Sequence, residues 1–225
     1  MTAVIGADGL ARCPWAAADD LLREYHDTEW GLPVTGEAEL FERISLEVFQ
    51  AGLSWRTVLA KRPAFRDAFD GFDPDTVARF TDTRIEQLTS HPGIIRNRKK
   101  IEAARTNARA VVRMRLHDCG GLEQLVLAHR PATTPEPRQH ADIPTSSPES
   151  AAFAKALRAH GFTFVGPTGM YALMEATGLV DTHLVTCHRR GSRFPAEPDE
   201  RPGLLAPGRT RALPTAGSAQ GSIAN

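Results

Sequence analysis

The chain has 225 residues, 41% hydrophobic and 24% charged, enough apolar material to bury a core in one domain or two closely joined lobes, which excludes a wholly disordered protein. Lys plus Arg (27) balances Asp plus Glu (27), so any footprint for a polyanion must be local. No run approaches the roughly 18–20 apolar residues of a membrane span, the N-terminus lacks a basic and then apolar leader, and Cys13, Cys119 and Cys187 are too few and too scattered for a disulfide framework. A cytoplasmic protein with no membrane partner is expected, its cysteines reduced or bound to a metal.

Apolar spacing is helical almost throughout, which predicts an all-α fold. The first helix is expected over Ala18 to Tyr25. A second begins near Glu37, where Leu40, Phe41, Ile44 and Val48 recur at helical intervals, and carries Glu47 near its end. Gln50 to Trp55 leads into a short helix over Thr57 to Lys61, and Pro63 separates this from another over Ala64 to Phe69. Asp73-Pro74 reads as a helix start, with proline at the first helical position. A short helix follows over Thr83 to Thr89. The turn from His91 to Asn97 opens into a long helix over Arg98 to Arg115. Between 96 and 115 there are eight basic residues against the single acid Glu102.

Five prolines between His129 and Ser150 predict an irregular connection. Ser147-Pro148 then caps a helix that ends at Gly161, and a last helix is expected over Thr168 to Thr177. Residues 191–225 hold five Pro and five Gly among small and charged residues, too little apolar surface to offset ordering entropy, so they read as a disordered tail. Residues 1–9 read as a flexible lead, leaving 10–190 as the helical domain.

Three constellations could carry chemistry. His183-x3-Cys187, if helical or in a turn, presents imidazole and thiolate to one ion, and Cys13 with His26 offers a second pair. Two Cys and two His would close a tetrahedral site, although spacing alone leaves open that these are ordinary buried residues. Trp15, Tyr25, Trp30 and Trp55 cluster in the first quarter of the chain, where they could simply be core. Glu47, flanked by Leu46, Val48 and Phe49, sharpens that reading, because a carboxylate among apolar neighbours must be exposed, paired or functional. Indole faces with one carboxylate and one phenol suit a planar heterocycle such as a flipped purine. The third is the Pro92-Gly93 turn and the basic helix after it, either a phosphate grip or a solvated charged face.

At this point the residues resemble the DNA-3-methyladenine glycosylase I family, within the helix-hairpin-helix DNA glycosylases. The blocks that carry the resemblance are Arg12 to Trp15, Tyr25 to Pro33, Leu46-Glu47, Gln50 to Trp55, Gly93 to Ile101, Ile143 to Ser146, Gly161 to Gly166, and Gly178 to His183 with Cys187. They run in one order over roughly residues 10 to 190. Phe49 stands where a polar residue is expected before Gln50.

The resemblance implies a monofunctional base-excision enzyme that flips 3-methyladenine out of alkylated double-stranded DNA and hydrolyses its N-glycosidic bond, acting as a monomer. It implies one structural zinc ion on Cys13, His26, His183 and Cys187, joining the N- and C-terminal segments. Glu47 and Tyr25 would bond the base, Trp55 would stack on it, and Trp15 and Trp30 would line the pocket; as the candidate catalytic carboxylate, Glu47 could recognise the base edge, stabilise positive charge on the sugar or orient water, roles that the sequence does not separate. Gly52 and Leu53 would approach the gap left in the duplex, and Gly93, Arg96, Arg98, Lys99 and Lys100 would grip the backbone. The superfamily's catalytic Asp after the hairpin has no clear counterpart, and no lysine sits in a recognisable Schiff-base motif, so no lyase step is expected.

Overall fold

A computed structural model of the chain describes residues 1–117 and 120–192. Cys119 and the tail beyond Ser192 lie outside the described residues. Among the described residues the fold is helical: α1 (Asp20–Thr28), α2 (Glu37–Gln50), α3 (Trp55–Ala68), α4 (Pro74–Ala78), α5 (Asp82–Ser90), α6 (Arg98–His117), α7 (Gly121–Leu127), α8 (Pro148–Ala159) and α9 (Pro167–Ala176). None of these helices is long and apolar enough to cross a membrane.

The central element is α2. Leu40, Phe41, Ile44, Leu46, Val48 and Phe49 are all buried, which covers every side of a helix, and α3, α6, α7 and α9 pack around it. Phe49 is fully buried, its ring 4.5 Å from Phe65 and 5.8 Å from Phe69. The departure from a polar residue at this position therefore serves the core rather than the surface.

Helix starts follow side-chain chemistry. Asp19, Ser54, Asp73, Thr81 and Ser147 each accept a backbone N–H from the first turn of α1, α3, α4, α5 and α8. In two places the expected boundaries fail. Pro63 does not split α3, which runs from Trp55 to Ala68 because Val58, Leu59, Arg62, Phe65 and Ala68 bury one continuous face; that packing outweighs the backbone bond a proline cannot donate. Helix α7 was not expected at all. It begins at Gly121 behind its N-cap Gly120, both at positive φ.

The first nine residues are not a free lead. Val4–Ile5 (β1) pairs antiparallel with Ala11–Arg12 (β2), and the Met1 carbonyl accepts the His140 N–H at 2.9 Å. Asp8 accepts from the Arg12 guanidinium at 2.7 and 2.9 Å, and that guanidinium also bonds Asp27 on α1. At the other end, the His188 N–H donates to the Ala11 carbonyl at 2.9 Å, so the last described turns lie beside the first.

Candidate active site

Two adjacent groupings emerge. In the first, Cys13 precedes a 3-10 turn, His26 lies in the last turn of α1, and Cys187 follows α9 in an irregular segment rather than a helix. All three are buried and their donor atoms lie within 4.8 Å of one another, with Cys187 Sγ 3.4 Å from His26 Nε2. His183 stands outside that set, but its ring centroid is 5.2 Å from that of His26.

The imidazoles are prepared alike. His26 Nδ1 lies 2.8 Å from Asp27 Oδ1, and His183 Nδ1 lies 2.9 Å from Asp181 Oδ1. A proton on each Nδ1, donated to its carboxylate, leaves each Nε2 with a lone pair for a cation. His183 Nε2 is a buried atom with no hydrogen-bond partner, which an enclosed nitrogen tolerates poorly unless it binds something. Cys187 is held towards thiolate by the Cys13 thiol and His26, while Cys13 is pushed the other way. A Cβ on Gly31 would meet His183 Cε1 at 2.6 Å, so only glycine lets this backbone lie against the ring. Two thiols and two carboxylate-oriented imidazoles fit a structural zinc ion in donor chemistry.

The second grouping is a cavity of about 440 Å³ lined by Trp15, Tyr25, Trp30, Glu47 and Trp55, with Thr168, Tyr171 and Glu175 on the α9 side. The aromatic residues form one run: Trp15 to Trp30 at 5.0 Å edge-on, Trp15 to Tyr25 at 6.3 Å, and Tyr25 to Trp55 at 5.3 Å. Trp15 and Trp30 also serve the first grouping, at 5.2 Å from His26 and 4.4 Å from His183. The pocket and the Cys/His cluster thus share a wall.

Glu47 is 8% exposed and makes no hydrogen bond or ion pair among the described residues. Burial pushes its carboxyl up to about 8, helped by Glu175 and opposed by Arg43. The neighbouring Arg43 guanidinium bonds Glu29 instead, and Arg62 joins Glu29 to Glu42. Tyr25 is also pushed up by burial.

Sequence reasoning missed Glu175 and the two orienting acids. Glu175 sits on α9 between Met174 and Ala176, both buried, and burial raises it to about 7; the signal that singled out Glu47 applied equally here. Asp27 follows His26 directly and Asp181 stands two residues before His183, a pattern expected of ligating imidazoles.

The basic helix is a different matter. Lys100 turns inward, 6% exposed, and donates to the Phe49 and Ala51 carbonyls at 2.8 and 2.6 Å. It is therefore no surface contact; its ammonium secures the end of α2 and the exposed loop that carries Gly52 and Leu53. Arg98 bonds Glu86 and Glu102, Arg105 bonds Asp82, Arg109 bonds the Ala78 carbonyl, and Arg115 bonds Glu37 and Asp75. The side chains of Arg96 and Lys99 are exposed and bond no other described residue. The turn before them is held from inside: Lys61 donates to the Pro92 and Gly93 carbonyls, both at 3.3 Å, and the Gly93 N–H donates to His91 Nδ1. A Cβ on Gly93 would meet the Ala64 Cβ at 2.8 Å, so glycine lets the turn press onto α3.

A helical fold around an aromatic pocket with a buried, unpaired carboxylate defines a receptor for a planar, electron-poor ring. Comparison with known proteins agrees. The family model described as methyladenine glycosylase matches residues 15–190. DNA-3-methyladenine glycosylase 1 of Escherichia coli (strain K12) is 44% identical over 180 residues, 79% of this chain and 96% of that protein. A crystal structure of a 3-methyladenine DNA glycosylase I superposes with a TM-score of 0.76 at 42% identity, covering 80% of this chain and 99% of the other. A Staphylococcus aureus 3-methyladenine DNA glycosylase I, solved to explain its recognition of 3-methyladenine, superposes at 0.75 with 31% identity, covering 80% and 96%. The chain belongs to the methyladenine glycosylase family and is an enzyme of the DNA-3-methyladenine glycosylase I type.

Proposed function

We propose that this protein excises 3-methyladenine from alkylated double-stranded DNA by drawing the nucleotide out of the stack into the aromatic cavity and hydrolysing its N-glycosidic bond. One observation carries the reading: a buried carboxylate, Glu47, without a partner of its own, set in a wall of indole and phenol rings. Methylation at N3 leaves the base cationic, so it gains from indole faces and a carboxylate that a neutral adenine gains from far less. The same charge weakens the bond to the sugar. As that bond breaks, its electron pair leaves with the base, which becomes neutral, while water adds at C1′ and gives up a proton. Glu47 bonds the base edge and steadies the positive charge that develops on the sugar; Tyr25 supplies a second hydrogen-bonding group, Trp55 stacks on the base, and Trp15 and Trp30 line the wall.

No lysine lines the cavity among the described residues, which supports simple hydrolysis without a lyase step. Helix α5, the Gly93 turn and α6 serve as the helix-hairpin-helix grip on the DNA backbone, through Arg96, Lys99 and the partly engaged Arg98. Leu53, 43% exposed on the loop after α2, fills the gap with Gly52. Cys13, His26, His183 and Cys187 hold one zinc ion, which when bound cross-links the two ends of the domain and takes no part in the reaction. The protein acts as a monomer.

The test is chromatography of bases freed from methylated duplex DNA by the zinc-loaded protein. Release of 3-methyladenine with 7-methylguanine left in place is expected. A folded sample that frees neither, yet still binds the damaged duplex, would replace this reading with that of a lesion-binding module.

A further inference from the structure

The proposed reaction uses one carboxylate, yet the cavity holds two. Glu175 enters it from α9 while Glu47 enters from α2. Glu175 stands between the buried Met174 and Ala176, and Glu47 between the buried Leu46 and Val48 with Arg43 one turn before it. The only hydrogen bond to the Glu175 carboxyl comes, among the described residues, from the Thr182 hydroxyl, at 2.6 Å to Oε1.

The cations nearby are engaged elsewhere: Arg43 with Glu29 and Arg56 with Asp19. Of the other titratable groups on the lining, Tyr25 and Tyr171 are neutral phenols raised by burial, and His140 lies exposed at the rim. Two like charges in one largely apolar cavity, neither in an ion pair and only Glu47 eased by Arg43, which Glu29 already engages, repel one another, so full ionisation of both is disfavoured until further positive charge arrives.

We propose that Glu175 is a positioning residue: before a base enters, it and Glu47 share one proton across the cavity, and a cationic base lets both ionise. This rests on the excision reading above, and gives it a reason for charge selection. A neutral adenine meets a half-protonated pair and gains little from it. A cationic base is attracted by both carboxylates, and its single charge offsets the one that the lost proton had covered. The proton released on entry passes to solvent through the mouth of the cavity, so base binding and proton release are linked. Burial raises the proton affinity of both groups, and Glu175 adds to the rise at Glu47.

The experiment is the pH profile of kcat/KM for base release by the wild type and by Glu175→Gln, whose amide oxygen still accepts from Thr182. In the variant the acidic limb is expected to move down by about one pH unit, a tenfold change in the ratio of ionised to protonated Glu47 at the old midpoint. Superimposable limbs from a wild type that does excise would overturn the inference and leave the excision reading intact; a wild type that frees no base would overturn the reading itself. Carboxyl-carbon NMR titration of the zinc-loaded wild type decides the coupling independently, even where the variant does not fold. Two linked inflections on each of the two carboxyl resonances are expected, and two independent single-site curves refute it.

Discussion

Glu47→Gln separates what this carboxylate contributes to function from what it takes from stability. Folding raises its proton affinity from the ordinary 4.5 to about 8. A carboxyl raised in this way supports the folded state fully below about pH 4.5, and that support disappears as pH climbs through the folded value. At about 1.4 kcal/mol per pH unit the full displacement corresponds to about 4–5 kcal/mol, and water admitted by the open cavity reduces this to about 2 kcal/mol. Glutamine keeps the shape and cannot ionise. The variant is therefore expected to match the wild type at pH 5 and to exceed it by about 2 kcal/mol at pH 8.5, about 4–8 °C in Tm for a domain of this size. Thermal denaturation of zinc-loaded protein at the two pH values measures this, because the pH dependence of metal binding is common to both proteins and drops out of the difference. Base release by the variant should fall by about 100-fold or more. A Tm difference that does not change with pH would refute the account of Glu47 as a buried, unpaired acid.

Cys187→Ser should remove the bound zinc detected by elemental analysis and lower stability by more than about 3 kcal/mol; an unchanged Tm together with a metal-free wild type would dismiss the metal site. Neutralising Lys99, which has no internal partner, should lower the salt slope of DNA binding by about 1, whereas Arg115→Ala, whose guanidinium is occupied by Glu37 and Asp75, should leave it unchanged; equal effects would show that the free and paired charges had been misassigned. Lys100→Met strands two carbonyls and should destabilise the fold by about 1–3 kcal/mol while sparing the salt slope, and a slope that drops would return Lys100 to the DNA surface.

What was legible in the sequence was whatever chemistry is local. Ser147-Pro148 and Asp73-Pro74 announced their helices, since a cap and a fixed φ act within one turn. His26, His183 and the two cysteines stood out by residue type. Where misreading occurred, the deciding partner was remote. Pro63 read as a break because the buried face that carries α3 through it is assembled from other helices. The charges of α6 read as a surface patch because Glu37, the partner of Arg115, lies 78 residues away. Lys100 is the same lesson reversed: its carbonyl partners are 49 and 51 residues distant. Glu175 was overlooked although Met174 and Ala176 flank it as Leu46 and Val48 flank Glu47.

Lys100 has a wider consequence. Its ammonium joins the first turn of α6 to the last carbonyls of α2, so the tip bearing Leu53 and the ledge bearing Arg96 and Lys99 cannot slide independently. They form a fixed gauge. Under the DNA contacts proposed above, a duplex grasped on the ledge would meet the tip at one set depth, so undamaged DNA would be sampled by rigid probing along its length rather than by a loop that folds down after contact.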